Sequence, residues 1–357
     1  MRSQVLLFCW FTGVVLAAQQ PPAPGVIRVT VQEVVAPVTV TDKDGNHVAG
    51  LEGKDFTVLD NGKEQQIKVD VSFVPISLVL CVQANHVVEE VLPKIKTIGP
   101  LLESLVVGEQ GEVAVIAFDH RIRVMQDFTS EGGLIKQALE KIQPGSTTSR
   151  LIDTVFQAAR MLRNRPRERR KVMLIISETQ DRGSEGRLRE ALLEVQMPNI
   201  QVFTVNINRA FTTLTAKPLP PRPDHVPPAA RPMPGGAPQT PGSVAQLGGL
   251  GGNSANFVPM FVEIFKQVKA IFVSNSAEVL TQYTGGREYS FVTQANLQSA
   301  VSRIGEELHS QYLISYNPNN NPTIRNEGGW HDIKVIVHRA GLNVRTRQGY
   351  WMAGPSE

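Results

Sequence analysis

Disulfide bonds have almost no material to form from in this chain. Its two cysteines are Cys9 and Cys81. Cys9 lies in a stretch with the form of a cleaved leader, so the mature chain keeps one thiol and its fold rests on packing. Cys81 sits in the apolar run 76–82 with no cation or histidine in its immediate sequence. Such a thiol behaves as a small buried hydrophobe rather than a nucleophile. An excess of charge is missing too: a formal net charge of +3 gives no basis for nucleic-acid binding. Long apolar runs are equally scarce. The first, residues 5–16, follows Arg2 and ends in Ala17 and Ala18; it falls short of the ~20 residues a membrane-spanning helix requires. The pattern is that of a signal peptide over residues 1–18, which predicts an exported chain, periplasmic or extracellular, with no transmembrane segment once mature. Leu7 and Phe8 before Cys9 do not suit a lipidation site.

Catalytic signatures are also lacking. No Gly-x-Ser-x-Gly elbow occurs, so the hydroxyl run 146–149 reads as a loop and cap before a helix starting at Leu151. His86, Glu89 and Glu90 have the spacing of part of a zinc-binding helix, but the second histidine is missing. Gly248 to Gly252 lacks the preceding strand and the Lys-Ser or Lys-Thr pair of a phosphate loop. The chain therefore reads as a non-enzymatic module, with a hydrolase lacking any recognisable motif as the alternative from another class.

What is present is ample apolar material: 41% of residues are hydrophobic and 19% charged, the balance of a globular protein with a real core. Residues 26–73 show short Val/Ile/Thr-rich runs separated by Asp44-Gly45 and Asn61-Gly62, which predicts strands and tight turns. Val38, Val40 and Val48, and again Phe56, Val58 and Leu59, suit strands with one buried face. From Pro75 the pattern changes. Residues 76–82, 171–177 and 200–207 are nearly continuous apolar runs, the mark of strands buried on both faces of a parallel sheet. Between them, Val87, Val88, Val91, Ile95, Ile98, Leu101, Leu102 and Leu105 recur at helical spacing, interrupted by Pro93 and Pro100. Helices are also expected near 134–142, 151–162, 187–195 and 297–308, and from Phe261 through Ile271 to a cap at Gly285-Gly286. Ten of the 24 prolines fall between Pro218 and Pro241, so residues 212–256 read as a disordered Pro/Gly-rich insertion. The tail, 311–353, returns to strand pattern and is expected to pack with 26–73 as one β subdomain. Arg163, Arg165, Arg167, Arg169, Arg170 and Lys171 form the strongest basic cluster. Between a helix end and a strand, it reads chiefly as dipole complementarity and solvation.

Several segments together resemble the secreted bacterial VWFA-related family first grouped from acidobacteria, over nearly the whole mature chain. They are VTVTDKDGNHVAGLEGKDFTVLDNGKEQQI at 38–67, VAVIAFDHRIRVMQDFT at 113–129, LTQYTGGREY at 280–289, QYLISYNP at 311–318 and VRTRQGYW at 344–351. The resemblance implies a doubly wound, mostly parallel von Willebrand factor A (vWA)-type α/β domain over 75–310, with a small β-sandwich built from both chain ends. It also implies a metal-ion-dependent adhesion site of pattern Asp-x-Ser-x-Ser, plus a Thr and an Asp from later loops. Here Gln83, Asn85 and Val87 replace the Asp and both Ser; Ser149 falls at the Thr position and Glu178 at the final acidic one. Mg²⁺ dehydrates reluctantly and usually needs carboxylates, so this degenerate set suits it poorly, although Asp181 could add a carboxylate. The resemblance thus implies binding or adhesion to a protein or cell-surface component through Gln83, Asn85, His86, Ser149 and Glu178 as ordinary polar groups, with no obligatory cofactor. A metal-dependent adhesion module with an atypical Mg²⁺ site is the other binding reading.

Overall fold

The computed structural model describes residues 33–70, 74–104, 110–178, 181, 183–207, 275–321 and 329–352. The expected leader 1–18, the insertion 212–256 and the helical stripe from Phe261 to Ile271 lie outside the described residues.

Alternation organises the chain ends. In β2 (Phe56–Asp60) every second residue is buried, but the buried set is Phe56, Val58 and Asp60, with Leu59 on the half-exposed side. The Asn61-Gly62 turn folds β2 onto β3 (Lys63–Glu64). Both turn residues have positive φ, 48° and 78°, as a two-residue hairpin turn of this hand demands. The other N-terminal strands are β1 (Val34–Thr41) and β4 (Ile67–Asp70). The C-terminal ones are β11 (Tyr312–Tyr316), β12 (Gly329–Val337), β13 (Asn343–Arg345) and β14 (Gly349–Met352). They interleave with the N-terminal strands rather than stacking as separate halves. One antiparallel sheet has the order β13-β1-β11-β4 and the other β14-β12-β2-β3. Their shared core includes Val38, Val40, Phe56, Val58, Tyr312, Ile314, Ile333 and Tyr350, and the Phe56 and Tyr312 rings meet at 5.2 Å.

The middle of the chain builds a second sheet. Its strands are β5 (Ile76–Gln83), β6 (Glu112–Phe118), β7 (Ile122–Thr129), β8 (Arg170–Ser177), β9 (Gln201–Ile207) and β10 (Glu288–Phe291). The spatial order is β10-β9-β8-β5-β6-β7, parallel throughout except for β7, which runs antiparallel at one edge. Every residue of β5 is buried, as its unbroken apolar run requires for a central strand covered on both faces. Leu78, Leu80 and Val82 face a layer containing α3 (Gly132–Glu140) and α7 (Gln294–Ser310). Val79 and Cys81 face α4 (Leu151–Arg163), α5 (Leu188–Gln196) and α6 (Ser276–Thr284). Residue Gly285 ends α6 in the left-handed region at φ 78°, as the Thr-Gly-Gly signal predicts. The fold class read from the sequence is the one observed: doubly wound α/β with a small β-sandwich from both chain ends.

The apolar stripe that begins at Val87 is interrupted at the two prolines, as the sequence implies. Up to Leu102 it folds as a 3-10 turn His86–Val91, α1 (Leu92–Ile95), a 3-10 turn Lys96–Ile98 and α2 (Gly99–Leu102), and Leu105 lies outside the described residues. Pro93 and Pro100 sit in the first turns of α1 and α2, where a missing N–H does no harm, and each bars the preceding helix from continuing. The basic cluster is also largely committed within the fold. Arg165 grips Glu112 at 2.7 and 2.5 Å, and Arg169 reaches Ser77 and the Ile76 carbonyl. Arg170 donates to the Leu308 carbonyl at 2.5 Å and to Gln201 at 2.6 Å, and Arg163 pairs with Glu194.

Candidate binding face

Strand order reverses between β5 and β8, which lie side by side with Val82 opposite Ile176. In open α/β sheets the crevice outside the carboxyl ends of such a strand pair is the usual ligand site. Gln83 is the last residue of β5, and Glu178 follows the last residue of β8. Both are buried, at 1% and 4% exposure. The Gln83 side chain spans the gap between them: its Oε1 accepts the Glu178 backbone N–H at 2.9 Å, and its Nε2 donates to Asn85 Oδ1 at 2.9 Å. Asn85, 2% exposed, passes the connection on by donating from Nδ2 to the Thr147 carbonyl at 3.1 Å. Backbone bonds run alongside. Gly145 N–H donates to the Ala84 carbonyl at 2.7 Å, His86 N–H to the Ser146 carbonyl at 3.0 Å, and Ala84 N–H to the Phe118 carbonyl at 2.8 Å.

A second brace ties the loop after β8 to the start of α4. Asp181 Oδ1 accepts the Leu151 N–H at 3.1 Å and the Ser184 hydroxyl at 2.9 Å, while Ser184 Oγ accepts the Asp153 N–H at 3.1 Å. The Asp153 carboxylate in turn takes the N–H groups of Gly186 and Glu185 at 2.8 and 3.0 Å and Arg150 Nε at 2.7 Å. These carboxylates satisfy free donors at a helix start and in the adjoining loop. Burial raises the Asp181 carboxyl above its ordinary value against the pull of the Ser184 and backbone donors. Burial also acts on Asp153, but the Gly186, Glu185 and Arg150 donors outweigh it and hold that carboxyl low. Beside them Asp119, 2% exposed, accepts the Arg121 N–H at 2.7 Å and pairs with His120 at 3.0 Å. A Cβ at position 145 would lie 1.5 Å from Asp119 Oδ2, so only glycine fits there.

Of the sequence-derived positions, Gln83, Asn85 and Glu178 are joined directly, and Ser149, 2% exposed, lies two residues beyond Thr147. Asp181 serves the α4 start. His86 is half-buried with Nδ1 3.0 Å from Glu89, and Val87 is half-buried beside it. The donor set does not fit a Mg²⁺ site: two of the five positions are amides hydrogen-bonded to each other and one is valine, where such an ion takes oxygen ligands with carboxylate help. Among the described residues, no group of three His, Cys, Asp or Glu gathers to hold a metal. The alternation of β2 also hid Asp60; Asp153 stands at the helix start as an anchor there would, whereas the brace at Ser184 has no signature in the sequence beyond a polar loop. A cavity of about 560 Å³ lies elsewhere, lined by the 44–47 turn with Arg287, Tyr289, Arg303 and Glu306 among others.

A doubly wound sheet with one antiparallel edge strand, helices on both faces and a cross-braced loop cluster at the switch point defines a vWA-like α/β module. No protein-family model matches the chain, and no curated protein matches it. Solved structures similar to it include BatB, a conserved hypothetical protein from Bacteroides thetaiotaomicron, at 13% identity over 65% of this chain and 99% of that one, with a TM-score of 0.39. An aerotolerance-related membrane protein from Bacteroides fragilis gives 16% identity, the same coverages and a TM-score of 0.38. The SpRpn10 VWA domain gives 9% identity over 38% of this chain and 76% of that one, with a TM-score of 0.33. At such scores these likenesses carry no weight for function, and the architecture rests on strand order, strand direction and the two helical layers.

Proposed function

We propose that this chain is an exported, non-enzymatic binding or scaffolding module of the vWA type, degenerate at its metal-adhesion positions. In this reading it engages a protein or a cell-surface component through the loops at the carboxyl ends of β5, β6 and β8, without an obligatory metal. One observation carries the reading: the loops at the switch point are tied to one another by side-chain bonds, so a partner meets a surface already in place. Pre-organisation of that kind lowers the ordering cost of association. Around the buried amides, His86, Glu89, His120, Arg123, Arg150 and Glu185 form a partly exposed rim of both signs. A rim of that sort sets partner choice and encounter rate more than raw affinity.

The test is capture of partners from the native envelope fraction by the immobilised chain, compared with two charge variants. Glu185→Lys alters the rim, where that carboxylate is 87% exposed. Met197→Glu alters the other end of the sheet, beyond α5, where Met197 is 63% exposed. The expected result is a partner retained by the parent chain and by Met197→Glu and lost or weakened with Glu185→Lys. A partner indifferent to Glu185→Lys but lost with Met197→Glu would move the site elsewhere.

A further inference from the structure

We infer that the Gln83–Asn85 amide pair is a permanent hydrogen-bonded staple that sets the binding face in the absence of any divalent ion. The inference rests on the proposed use of this face and specifies how the face is held. Three separate segments meet at the switch point: the turn after β5, the 144–149 loop and the turn after β8. A cation would join them by drawing one oxygen ligand from each. Here a continuous line of donors and acceptors makes the same connections, running from the Glu178 N–H to Gln83 Oε1, from Gln83 Nε2 to Asn85 Oδ1 and from Asn85 Nδ2 to the Thr147 carbonyl.

The residue types are the ones such a line requires. An amide both accepts and donates, so two amides in series can relay a bond from one backbone N–H to a distant carbonyl; a carboxylate at either position would break the relay for want of a donor. Burial adds to the effect. At 1% and 2% exposure, neither amide can exchange its partner for water, so opening the staple leaves buried polar groups unmatched. Backbone bonds hold the first two segments together even without the amides, through Gly145 to Ala84 and His86 to Ser146. The turn after β8 is tied farther along to the start of α4 by the Asp181, Ser184 and Asp153 bonds; at its first residue, Glu178, it is the Gln83 Oε1 bond that fixes it against the end of β5. An ion-dependent face is adjustable by supply of the ion; this one has its geometry built into neutral side chains, whose bonding does not change with cation concentration or with pH in the ordinary range.

The experiment is amide hydrogen exchange on the full chain at Glu178, with Val82 as an internal reference inside β5, together with thermal unfolding in millimolar Mg²⁺, in Mn²⁺ and in EDTA. The parent is expected to show a protected Glu178 N–H and the same Tm in all three media. In Gln83→Met, which keeps the volume and removes both hydrogen bonds, Glu178 should exchange about tenfold faster while Val82 is unchanged. Gln83→Glu guards against a misfolded Met variant: it keeps the acceptor for Glu178 and loses the donor to Asn85, so Glu178 should stay protected. Equal Glu178 protection in the parent and in Gln83→Met overturns the staple, as does a parent Tm that rises with Mg²⁺ or Mn²⁺ and falls with EDTA. None of these readouts needs a partner. A chain that captures a partner yet responds to cations loses only the staple, and a cation-indifferent chain with a protected Glu178 that captures nothing loses only the binding role.

Discussion

Asp60 occupies an inward position of β2 that the alternation of Phe56 and Val58 reserves for an apolar side chain. It is fully buried, and its carboxylate is matched by three groups: the Tyr350 hydroxyl at 2.7 Å, the Tyr316 hydroxyl at 2.9 Å and His331 Nδ1 at 2.7 Å. Removing a carboxylate that serves several buried partners leaves them unsatisfied, so Asp60→Ala should cost about 3–5 kcal/mol in urea unfolding. A loss below about 1 kcal/mol would mean the cluster is hydrated or rearranges freely. The two phenols supply a pH signature. Burial raises both above the ordinary tyrosine value, and the Asp60 carboxylate adds to the rise. Their folded-state values exceed the unfolded value near 10, so their stabilising contribution is fully present below about pH 10 and is lost as pH rises beyond it. The slope should be about 1.4 kcal/mol per pH unit for each phenol. In Tyr316→Phe the alkaline loss measured by denaturant titration should be shallower by one proton. At this scale the sequence was informative about place and silent about bonding. Its resemblance marked Gln83, Asn85 and Glu178 as neighbours, but two amides and an acid do not declare which atom faces which, since that depends on strand register. Asp60 went unnoticed because a period-two reading assigns Leu59 to the apolar face when an aspartate stands in phase.

Among the elements, those with strong local signals were legible to within a residue or two. The Asn61-Gly62 hairpin, the Gly285 cap and the buried strands 76–83, 170–177 and 201–207 all follow from backbone sterics or unbroken apolar runs. In the stripe from Val87 to Leu102 the breaks were marked by Pro93 and Pro100, but the 3-10 character of the turns between them was not, because helical spacing survives a chain of short turns as long as the same side chains still reach one face. That the two chain ends join in one β subdomain followed from their shared strand pattern, but the order in which their strands interleave did not, since pairing between residues roughly 240–310 positions apart leaves no local mark. It has a sharp consequence for truncation. Ending the chain at Pro318 removes β12, β13 and β14. β2 then loses the partner that covers it from Ile333↔Asp60 to Val337↔Phe56 and keeps only the two-residue β3. β1 instead retains β11 from Val34↔Tyr316 to Val38↔Tyr312. Uncovering a few hundred Å² of apolar surface costs several kcal/mol at about 25 cal/mol per Å². Hydrogen exchange on the shortened chain should therefore show protection lost at 57–59 and largely kept at 35–37. Full protection at 57–59 would show that the N-terminal strands fold without the tail.

Over the whole molecule, the sheet is closed across residues 208–274 by direct contact between β9 and β10. They pair in parallel from Glu288↔Thr204 to Phe291↔Ile207. Val202 N–H reaches Thr284 Oγ1 at 3.0 Å, and Gln201 Nε2 reaches the Gly285 carbonyl at 2.9 Å. Gly286 lies so near β9 that a Cβ would stand 1.8 Å from the Val202 oxygen. The sandwich is fastened to the same region by Arg345, which donates to the Gly285 and Gly286 carbonyls at 3.0 and 2.5 Å and pairs with Glu307. Continuity of the backbone between positions 217 and 252 is thus not what holds the two parts together. A protease site engineered there should, once cut, yield two fragments that elute as one species and unfold in one transition; separation in native buffer would refute it. The interleaved ends bear as well on the order of events during synthesis. Leu51 N–H finds its acceptor on Tyr312, 261 residues later, and at a synthesis rate of about 5–20 residues per second that partner emerges roughly 13–50 s after it. Until then β1, β2 and β4 lack their C-terminal partner strands, while five of the six central strands, β5 to β9, have been made once residue 207 is reached. A nascent chain of this design is most exposed to mispairing at its oldest end, and anything that shields the first strands until the last ones arrive acts on yield without touching the finished protein.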